Sequence, residues 1–523
     1  MHRDASKLAD HSLIEGDICI VGAGVAGIAM ALEWINTPFK VILLEGGGFS
    51  VDSKMQDLYR GKSIGQRYYP LQSSRLHYFG GSSGHWTGFC SPFDPIDFEK
   101  RDWVAHSGWP IQYNDLHLYY ERARKVVEID SANFDFEYWK NRVPDLVPLP
   151  LDENVLWNKM WQFSPPTRFG TRYKDAIVNA KNIFLYTHAN VVNIETNEPV
   201  SHVNQVRIRN LEGKEHVVQA KCFVMACCAI QNSRMLLASD QQASRGLGND
   251  HDLVGRFFMD HLEVTSSELL MPVARQMKLY HPWVYSETKV RAELAVSEKK
   301  QAQQSILNGT ASLIPKEISR NTPANIDTFP EDAVATVQMW DEIDKQRTDR
   351  KSSQNGDFLY KELELFTRME QSPNPNSRIQ LDNERDELGV PRANLDWQLT
   401  SLDKRSIRKL QEIVGEEVGR AELGRVRLMD WLQEENSSEW PDTLGGGWHH
   451  MGTTRMSDNP KEGVVDSNCK VFGIQNLYIA GSSCFPTSGA ANPTLTLLAL
   501  TLRLSEHLKE RAANNFNVDL GLA

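Results

Sequence analysis

The chain has 523 residues, a formal net charge of −11, 41% hydrophobic residues and 24% charged residues. This length exceeds what one hydrophobic core usually supports, so we expect two or three closely packed domains. The hydrophobic and charged fractions are typical of a soluble globular protein. The acidic balance excludes nucleic acid as a partner, because binding it requires a basic surface that displaces phosphate counterions. A small neutral substrate is more compatible with a net negative charge than nucleic acid is.

The seven cysteines are scattered and form no C-x-x-C pair and no zinc or haem-attachment spacing. We therefore expect no metal site, and the cysteine usage indicates a reducing compartment. Residues Met1–Gly16 are polar and do not resemble a secretory signal. No apolar run approaches the roughly 18 residues of a membrane-spanning helix. The sequence thus predicts a cytoplasmic protein without a membrane span.

The first structured segment is predicted to be a strand, a glycine-rich turn, a helix and a second strand. Gly22-Ala-Gly24-Val-Ala-Gly27 follows an apolar run, and the second strand, Val41-Ile-Leu-Leu, ends at Glu45. Gly22 permits the tight turn, Gly24 lets the backbone approach a pyrophosphate, and Gly27 allows close helix–strand packing. Glu45 stands where an acid accepts hydrogen bonds from an adenosine ribose. The whole unit predicts a dinucleotide site with phosphates at the helix amino terminus.

A second fingerprint of this kind would indicate a nicotinamide site. The glycines in the middle of the chain, Gly246, Gly248 and Gly255, do not follow a strand and lack the spacing. We therefore expect a flavin dinucleotide that takes reducing equivalents directly from an organic substrate.

The segments between the two ends predict a second sheet. Short strands are expected in the stretches 183–188, 191–194, 203–209 and 222–226, and helices at 115–128 and 402–419. Residues 366–370, 377–381 and 393–398 are predicted to be strands of one antiparallel sheet that faces the substrate. The predicted fold class is α/β (α+β), with a Rossmann-like domain on a parallel sheet interleaved with a substrate domain on an antiparallel sheet. We assign residues 14–110, 180–262 and 440–523 to the cofactor domain and residues 111–179 and 263–439 to the substrate domain.

Two motifs near the carboxyl terminus carry the predicted chemistry. The first, Gly445-Gly-Gly-Trp-His449-His450, offers an imidazole, whose pKa near neutrality suits removal of a hydroxyl proton. The second is a buried strand ending at Gly481, a Gly/Ser loop, and Asn492-Pro493 opening an apolar helix from Thr494. Asparagine before proline is a strong helix-start signal, and capping is the role that the sequence alone favours for Asn492. The helix amino terminus would stabilise negative charge on a reduced flavin.

These motifs, with Gly80–Gly88 and the stretch LVGRFFMDH at 253–261, resemble the glucose–methanol–choline (GMC) oxidoreductase family. Within it the closing segment is most similar to pyranose oxidases and bacterial FAD-dependent sugar dehydrogenases. The resemblance implies that His449, and not His450, is the catalytic base, and that Asn492 orients the substrate oxygen. It also implies FAD contacts from the residues Gly22, Gly24, Gly27, Glu45, Gly81, His85, Thr87, Val191, Ala480, Gly481 and Thr494.

The resemblance implies oxidation of a CH–OH group of a sugar, glycoside or polyol by hydride transfer to flavin N5, so the chain is expected to be an FAD-dependent oxidase or dehydrogenase. The acceptor would be oxygen, a quinone or a partner redox protein. Pyranose oxidases attach FAD covalently through a Thr-His-Trp-Thr motif. Here the motif reads Gly84-His85-Trp86-Thr87, so covalent attachment through His85 and non-covalent binding both stay open. A lyase of the same fold and a non-catalytic flavin protein are the alternatives; both predict a flavin that no alcohol reduces.

Overall fold

The structure, a computed structural model, describes residues 1–143, 145–281, 290–316, 358–434 and 439–514, together with residues 332, 334–336, 338–339 and 342. The predicted domain ranges 111–179, 263–439 and 440–523 include residues outside this description. The strands in chain order are β1 (His2–Asp4), β2 (Leu13–Glu15), β3 (Ile18–Val21), β4 (Val41–Leu44), β5 (Ser63–Gly65), β6 (Phe89–Cys90), β7 (Leu156–Phe163), β8 (Ile183–Thr187), β9 (Asn190–Thr196), β10 (Val203–Arg209), β11 (Glu215–Gln219), β12 (Cys222–Met225), β13 (Leu262–Gln276), β14 (Val290–Val296), β15 (Gly309–Pro315), β16 (Leu359–Met369), β17 (Arg378–Arg385), β18 (Pro391–Trp397), β19 (Arg425–Leu428), β20 (Gly445–Gly446) and β21 (Leu477–Ile479).

The helices described are α1 (Val25–Glu33), α2 (Ser53–Asp57), α3 (Pro95–Phe98), α4 (Tyr113–Val126), α5 (Phe136–Arg142), α6 (Phe169–Arg172), α7 (Lys174–Asn179), α8 (Ala229–Ala238), α9 (Glu298–Gln304), α10 (Ser401–Arg420) and α11 (Thr494–Ala513). Short 3-10 helices occur at Ala5–Lys7, Gly81–Gly84, Lys278–Tyr280, Asp430–Leu432 and Ser482–Cys484. None of these helices has the length and apolar character that crossing a bilayer requires.

A six-stranded parallel sheet in the order β1-β8-β4-β3-β12-β21 forms the first layer. Strands β3, β4 and β12 are buried along their whole length, as expected of parallel strands covered on both faces. Helix α11 packs against α1 and α4 and contributes to the same hydrophobic core. The strands of this parallel sheet come from the start, the middle and the end of the chain. The division of the chain into domains stays a prediction.

An antiparallel sheet in the order β19-β13-β16-β15-β14-β7-β6, with β20 also paired to β13, forms the second layer. Helix α10 covers one face of it and shares a second hydrophobic core with it. A four-stranded sheet, β2-β11-β10-β9, and a three-stranded sheet, β17-β18-β5, complete the architecture. The predicted combination of a parallel and an antiparallel sheet is confirmed.

The expectation that residues 366–370, 377–381 and 393–398 share one sheet is wrong. The first stretch lies in and directly after β16 of the large sheet, whereas β17 pairs with β18, and β18 pairs on its other side with β5. Pro373 and Pro375 stand between β16 and β17. Since proline cannot donate to a strand ladder, the chain leaves the large sheet there and starts a new hairpin.

Candidate active site

A cavity of about 550 Å³ lies between the carboxyl ends of the parallel strands and one face of the antiparallel sheet. Ligands in parallel α/β sheets characteristically bind at this edge. One end of the cavity is lined by residues that follow β3, β4, β12 and β21, and the other end by the loop of His449 and by the large sheet. The sequence-predicted residues that line it are Gly22, Gly24, Glu45, Gly81, His85, Thr87, Val191, His449, Ala480, Gly481, Asn492 and Thr494.

The glycine-rich turn between β3 and α1 has the geometry of a phosphate cradle. Gly22 adopts φ +100°, and a Cβ on Gly27 would lie 1.9 Å from the carbonyl oxygen of Gly22. Gly27 therefore packs behind the turn and does not line the cavity. A Cβ on Gly24 would meet nothing within 4 Å, so the backbone there faces open space. This is the position at which a pyrophosphate could approach the chain closely.

Glu45 is buried at the end of β4 beside this turn. Its Oε2 accepts a hydrogen bond from the Ala23 N–H at 3.1 Å and its Oε1 accepts one from the Gly47 N–H at 2.8 Å. Burial raises the pKa of the Glu45 carboxyl above its ordinary value, although these bonds oppose the shift. The carboxyl is thereby held at the cavity wall, where a ribose hydroxyl could reach it.

Arg75, which the sequence reasoning did not single out, lines the same cleft. Its guanidinium is buried over the ring of Tyr59, 4.3 Å from the ring centroid. Within the described part of the chain, its Nε and Nη1 atoms have no hydrogen-bond partner. Leaving buried donors unpaired is costly, so these atoms fit a cleft that receives an acceptor-rich, anionic group.

His85 and Thr87 follow the 3-10 helix Gly81–Gly84 and line the middle of the cavity. Burial lowers the pKa of His85 to about 3, so its ring is neutral at physiological pH. The ring lies 6.4 Å from that of Trp448, measured between centroids. His85, the predicted attachment residue, and the loop that carries the predicted base His449 therefore line the same cavity.

His449 and Asn492, 43 positions apart, are in direct contact. The Nδ2 atom of Asn492 lies 3.1 Å from Nε2 of His449, and its Oδ1 atom accepts a hydrogen bond from Trp161 Nε1–H at 3.2 Å. Helix α11 begins at Thr494, its amino-terminal cap is Pro493, and no side chain caps it. The capping role favoured for Asn492 by the sequence alone is therefore wrong, because the amide is engaged with His449 and Trp161 instead.

On its other side the His449 ring contacts His261, which directly precedes β13. The two Nδ1 atoms are 2.8 Å apart. Enclosure of the ring lowers the pKa of His449 well below its ordinary value of 6.5, and His261, Arg368 and His450 add to the shift. The ring is therefore neutral at physiological pH, which is the state that a proton acceptor requires. His450 instead places its Nε2 2.9 Å from the Tyr68 hydroxyl.

Asp260 fastens the loop that carries His449. Its Oδ1 accepts hydrogen bonds from the backbone N–H groups of His261, Gly447 and His449 at 2.7, 3.0 and 2.8 Å. The Tyr68 hydroxyl donates to its Oδ2 at 2.5 Å. Burial raises the pKa of Asp260 to about 7. A Cβ on Gly446 would lie 2.3 Å from Oδ2 of Asp260, which explains why glycine is needed in this loop.

The wall opposite the parallel sheet is formed by polar and charged side chains of the antiparallel sheet. They are Glu263 and Thr265 on β13, Arg291 on β14, Ser312 on β15 and Arg368 on β16. The Nε atom of Arg368 donates to Glu263 at 2.8 Å, and Arg291 donates to buried Glu293. The sequence analysis missed these residues. The available signal was a pair of charged residues two positions apart inside an apolar strand, as in VRAELAV of β14.

Within the residues that the structure describes, no group of three or more His, Cys, Asp or Glu side chains could hold a metal ion.

Residues 373–501 match the family model of the GMC oxidoreductases. The 2-methyl-1,2-propanediol dehydrogenase of Mycolicibacterium austroafricanum is 24% identical, with 95% of each chain covered. The fructose dehydrogenase large subunit of Gluconobacter japonicus is 22% identical over 94% of this chain and 97% of its own. A structure describing the effect of a mutation on FAD modification in the formate oxidase of Aspergillus oryzae superposes with a TM-score of 0.57 at 15% identity. It covers 97% of this chain and 100% of that one.

Proposed function

The chain belongs to the GMC oxidoreductase family, and from this premise we propose that it oxidises a CH–OH group of a sugar-like or polyol substrate, with His449 as the proton acceptor. It is an oxidoreductase whose cofactor is FAD. The observation that carries the residue assignment is the contact between His449 and Asn492 at the end of the cavity that faces the polar wall.

The residues of the cleft fit FAD. The open space at Gly24, the donors of Arg75 that have no hydrogen-bond partner among the described residues, and the carboxyl of Glu45 suit a pyrophosphate and a ribose. Val191 and Met235 would border the adenine, and Gly481, where a Cβ would meet nothing within 4 Å, would border the pyrophosphate. When bound, FAD supplies the hydride acceptor for the reaction.

His449 and Asn492 would hold the hydroxyl that is oxidised. A substrate oxygen placed on the cavity side, within reach of both residues, accepts a hydrogen bond from Asn492 Nδ2 and donates its own proton to His449 Nε2. The depressed pKa of His449 keeps Nε2 available for this proton at neutral pH. The amino terminus of α11, which begins at Thr494, supplies free amides and positive partial charge beside the same position.

The polar wall supports a substrate with several hydroxyl groups. Carboxylate, guanidinium and hydroxyl groups of Glu263, Thr265, Arg291 and Ser312 can each form a further hydrogen bond with a hydroxyl, whereas a simple alkyl alcohol offers no additional hydroxyl to them. Ion pairing of Arg291 with Glu293 and of Arg368 with Glu263 leaves the wall without net charge. This balance suits a neutral polyol. A diol dehydrogenase and a fructose dehydrogenase among the relatives support the same substrate class.

The test is anaerobic reduction of the bound flavin by a panel of hexoses, glycosides, aminosugars, vicinal diols and simple monoalcohols. We expect a polyhydroxylated compound to bleach the flavin and monoalcohols to be poor substrates. His449→Ala should slow this reduction by about 10²–10⁴-fold, because the proton acceptor is lost. His117→Ala, on the exposed side of α4, is the matched control. A flavin that dithionite bleaches and no alcohol bleaches would favour the lyase or the non-catalytic alternative.

Three further properties stay predictions. Readmitting air after bleaching distinguishes oxygen from a quinone or partner redox protein as the electron acceptor. Acid precipitation distinguishes covalent FAD at His85, where the flavin stays with the protein, from non-covalent FAD, which is released. A cytoplasmic location is tested by cell fractionation.

A further inference from the structure

We infer that His261 is a positioning residue that fixes which ring nitrogen of His449 carries the proton. His261 is fully buried behind His449, on the side away from the cavity, and does not line it. The hydrogen-bond partners of its two ring nitrogens determine which atom donates in the bond from His449 to His261, and so which nitrogen of His449 is left to accept from Asn492. The catalytic consequence rests on the proposed function, whereas the protonation pattern itself does not.

The first step concerns Nε2 of His261. It lies 2.9 Å from the carbonyl oxygen of Gly489 and 3.1 Å from that of Ser488. Carbonyl oxygens only accept hydrogen bonds, so Nε2 must carry a proton. Burial lowers the pKa of His261 to about 4, and the ring is therefore neutral at physiological pH. A neutral imidazole with its proton on Nε2 has a lone pair on Nδ1.

The second step concerns the 2.8 Å contact between the two Nδ1 atoms. At this distance one nitrogen must donate and the other accept. Because His261 Nδ1 can only accept, His449 Nδ1 carries the proton. Neutral His449 then has its lone pair on Nε2, the atom that faces Asn492.

The other end of the network gives the same assignment. Trp161 Nε1–H can only donate, so the Asn492 atom 3.2 Å from it is the carbonyl oxygen Oδ1. The amide nitrogen of Asn492 therefore faces His449 and donates to Nε2 at 3.1 Å. Two independent constraints, one starting at Trp161 and one at the Ser488 and Gly489 carbonyls, thus agree on an unprotonated Nε2.

This arrangement prepares His449 for the proton that it receives. In the opposite tautomer Nε2 would already carry a proton and could not accept one from a substrate hydroxyl. With His261 in place, Nε2 would take the hydroxyl proton, and FAD, when bound, would supply the acceptor for the hydride that leaves the same substrate carbon. The Nδ1–H bond to His261 persists and becomes charge-assisted, which strengthens it. His261 thus acts as a neutral counterpart of the carboxylates that orient catalytic histidines elsewhere.

The direct test is ¹⁵N NMR of the holoprotein labelled in its histidine rings, with the His449 signals assigned by their loss in His449→Ala. We expect His449 Nδ1 in the protonated range and Nε2 in the unprotonated range near neutral pH. In His261→Leu the Nδ1 and Nε2 signals should move towards each other, because only the Asn492 amide then favours this tautomer. In His261→Asn, which has nearly the same size and keeps an acceptor oxygen, the wild-type pattern should be retained. Protonated Nε2 in the wild-type protein overturns the inference.

Kinetics provide the second readout. His261→Leu should lower the rate constant of anaerobic flavin reduction by about 10–100-fold with an unchanged substrate Kd, and His261→Asn should restore most of it. Equal rates in the two variants overturn the role in positioning. Failure of every alcohol to reduce the wild-type flavin would refute the proposed function, and the NMR pattern would still decide the tautomer.

Discussion

A single methyl group on Gly447 is expected to displace the catalytic base. A Cβ at this position would lie 2.4 Å from Nδ1 and 2.8 Å from Cε1 of His449, and 3.2 Å from Oε1 of Glu263. Unstrained contacts of this kind begin at about 3.5 Å. The imidazole must therefore move by about 1 Å in Gly447→Ala, whereas the backbone N–H that bonds Asp260 stays available.

The magnitude follows from the geometry of the base. A shift of this size breaks the 2.8 Å contact with His261 and misaligns Nε2 with the substrate hydroxyl. Misplacing a reacting group by about 1 Å costs roughly 10²-fold in rate. This is about 2.7 kcal/mol in activation free energy. The FAD content should change little, because Gly447 lies beside His449 and not at the phosphate cradle.

The assay is stopped-flow reduction of the flavin under anaerobic conditions with the substrate that the panel identifies. Gly419→Ala is the matched control, because Gly419 is exposed on α10 and a Cβ there would meet nothing within 4 Å. That change should leave the rate unchanged and stabilise the helix by about 0.5–1 kcal/mol. If Gly447→Ala has the wild-type melting temperature and reduces its flavin at the wild-type rate, the proposed position of the base is refuted.

Three further outcomes are expected. Gly24→Ala should fold with a stability within about 1 kcal/mol of the wild type but retain FAD about tenfold or more weakly, since the added methyl occupies open space at the phosphate cradle; the ratio of flavin to protein absorbance measures this, and full FAD occupancy would contradict it. The pKa of His449 lies well below 6.5, and the neutral ring is the reactive form, so kcat/KM should stay constant as pH falls from mildly alkaline values to 6.5 and decline only below it. Because the Asp260 carboxyl has a pKa of about 7, the profile is measured in Asp260→Asn as well, and a break above pH 6.5 in both proteins would count against His449. Asp260→Ala leaves three backbone N–H groups without an acceptor, at about 1–3 kcal/mol each, and should lower both the melting temperature and the rate; Asp260→Asn, which keeps Oδ1, should be milder, and equal effects would argue against the loop-fastening role.

The parts of the fold that depend on local pattern were predictable. Strands β3 and β4 and the turn at Gly22 follow from apolar runs and glycine spacing within one short segment, and β10 was predicted with its observed ends. The start of α11 was misread at Asn492 because asparagine has two chemically equal uses, capping and long-range bonding. Only the approach of Trp161 and His449, which are distant in sequence, decides between them.

Features that depend on the pairing of distant strands were not predictable. The separate sheet of β17 and β18 depends on β5, which lies more than 300 residues earlier in the sequence. His261 was visible only as part of a family-like stretch, because its contact with His449 joins positions 188 residues apart. The polar wall likewise depends on the register of four strands, which aligns Arg291, Ser312 and Arg368 on one face.

The strand order of the parallel sheet has a consequence for synthesis on the ribosome. Strand β12 pairs with β3 on one side and with β21 on the other, and β21 is formed by residues 477–479. Until that last strand has emerged, one edge of β12 has no neighbour, and unpaired edges invite association with other chains. The nascent chain therefore exposes an unpaired strand edge from the time β12 is made until β21 emerges. Chaperone demand should accordingly depend on how quickly the segment between β12 and β21 is translated.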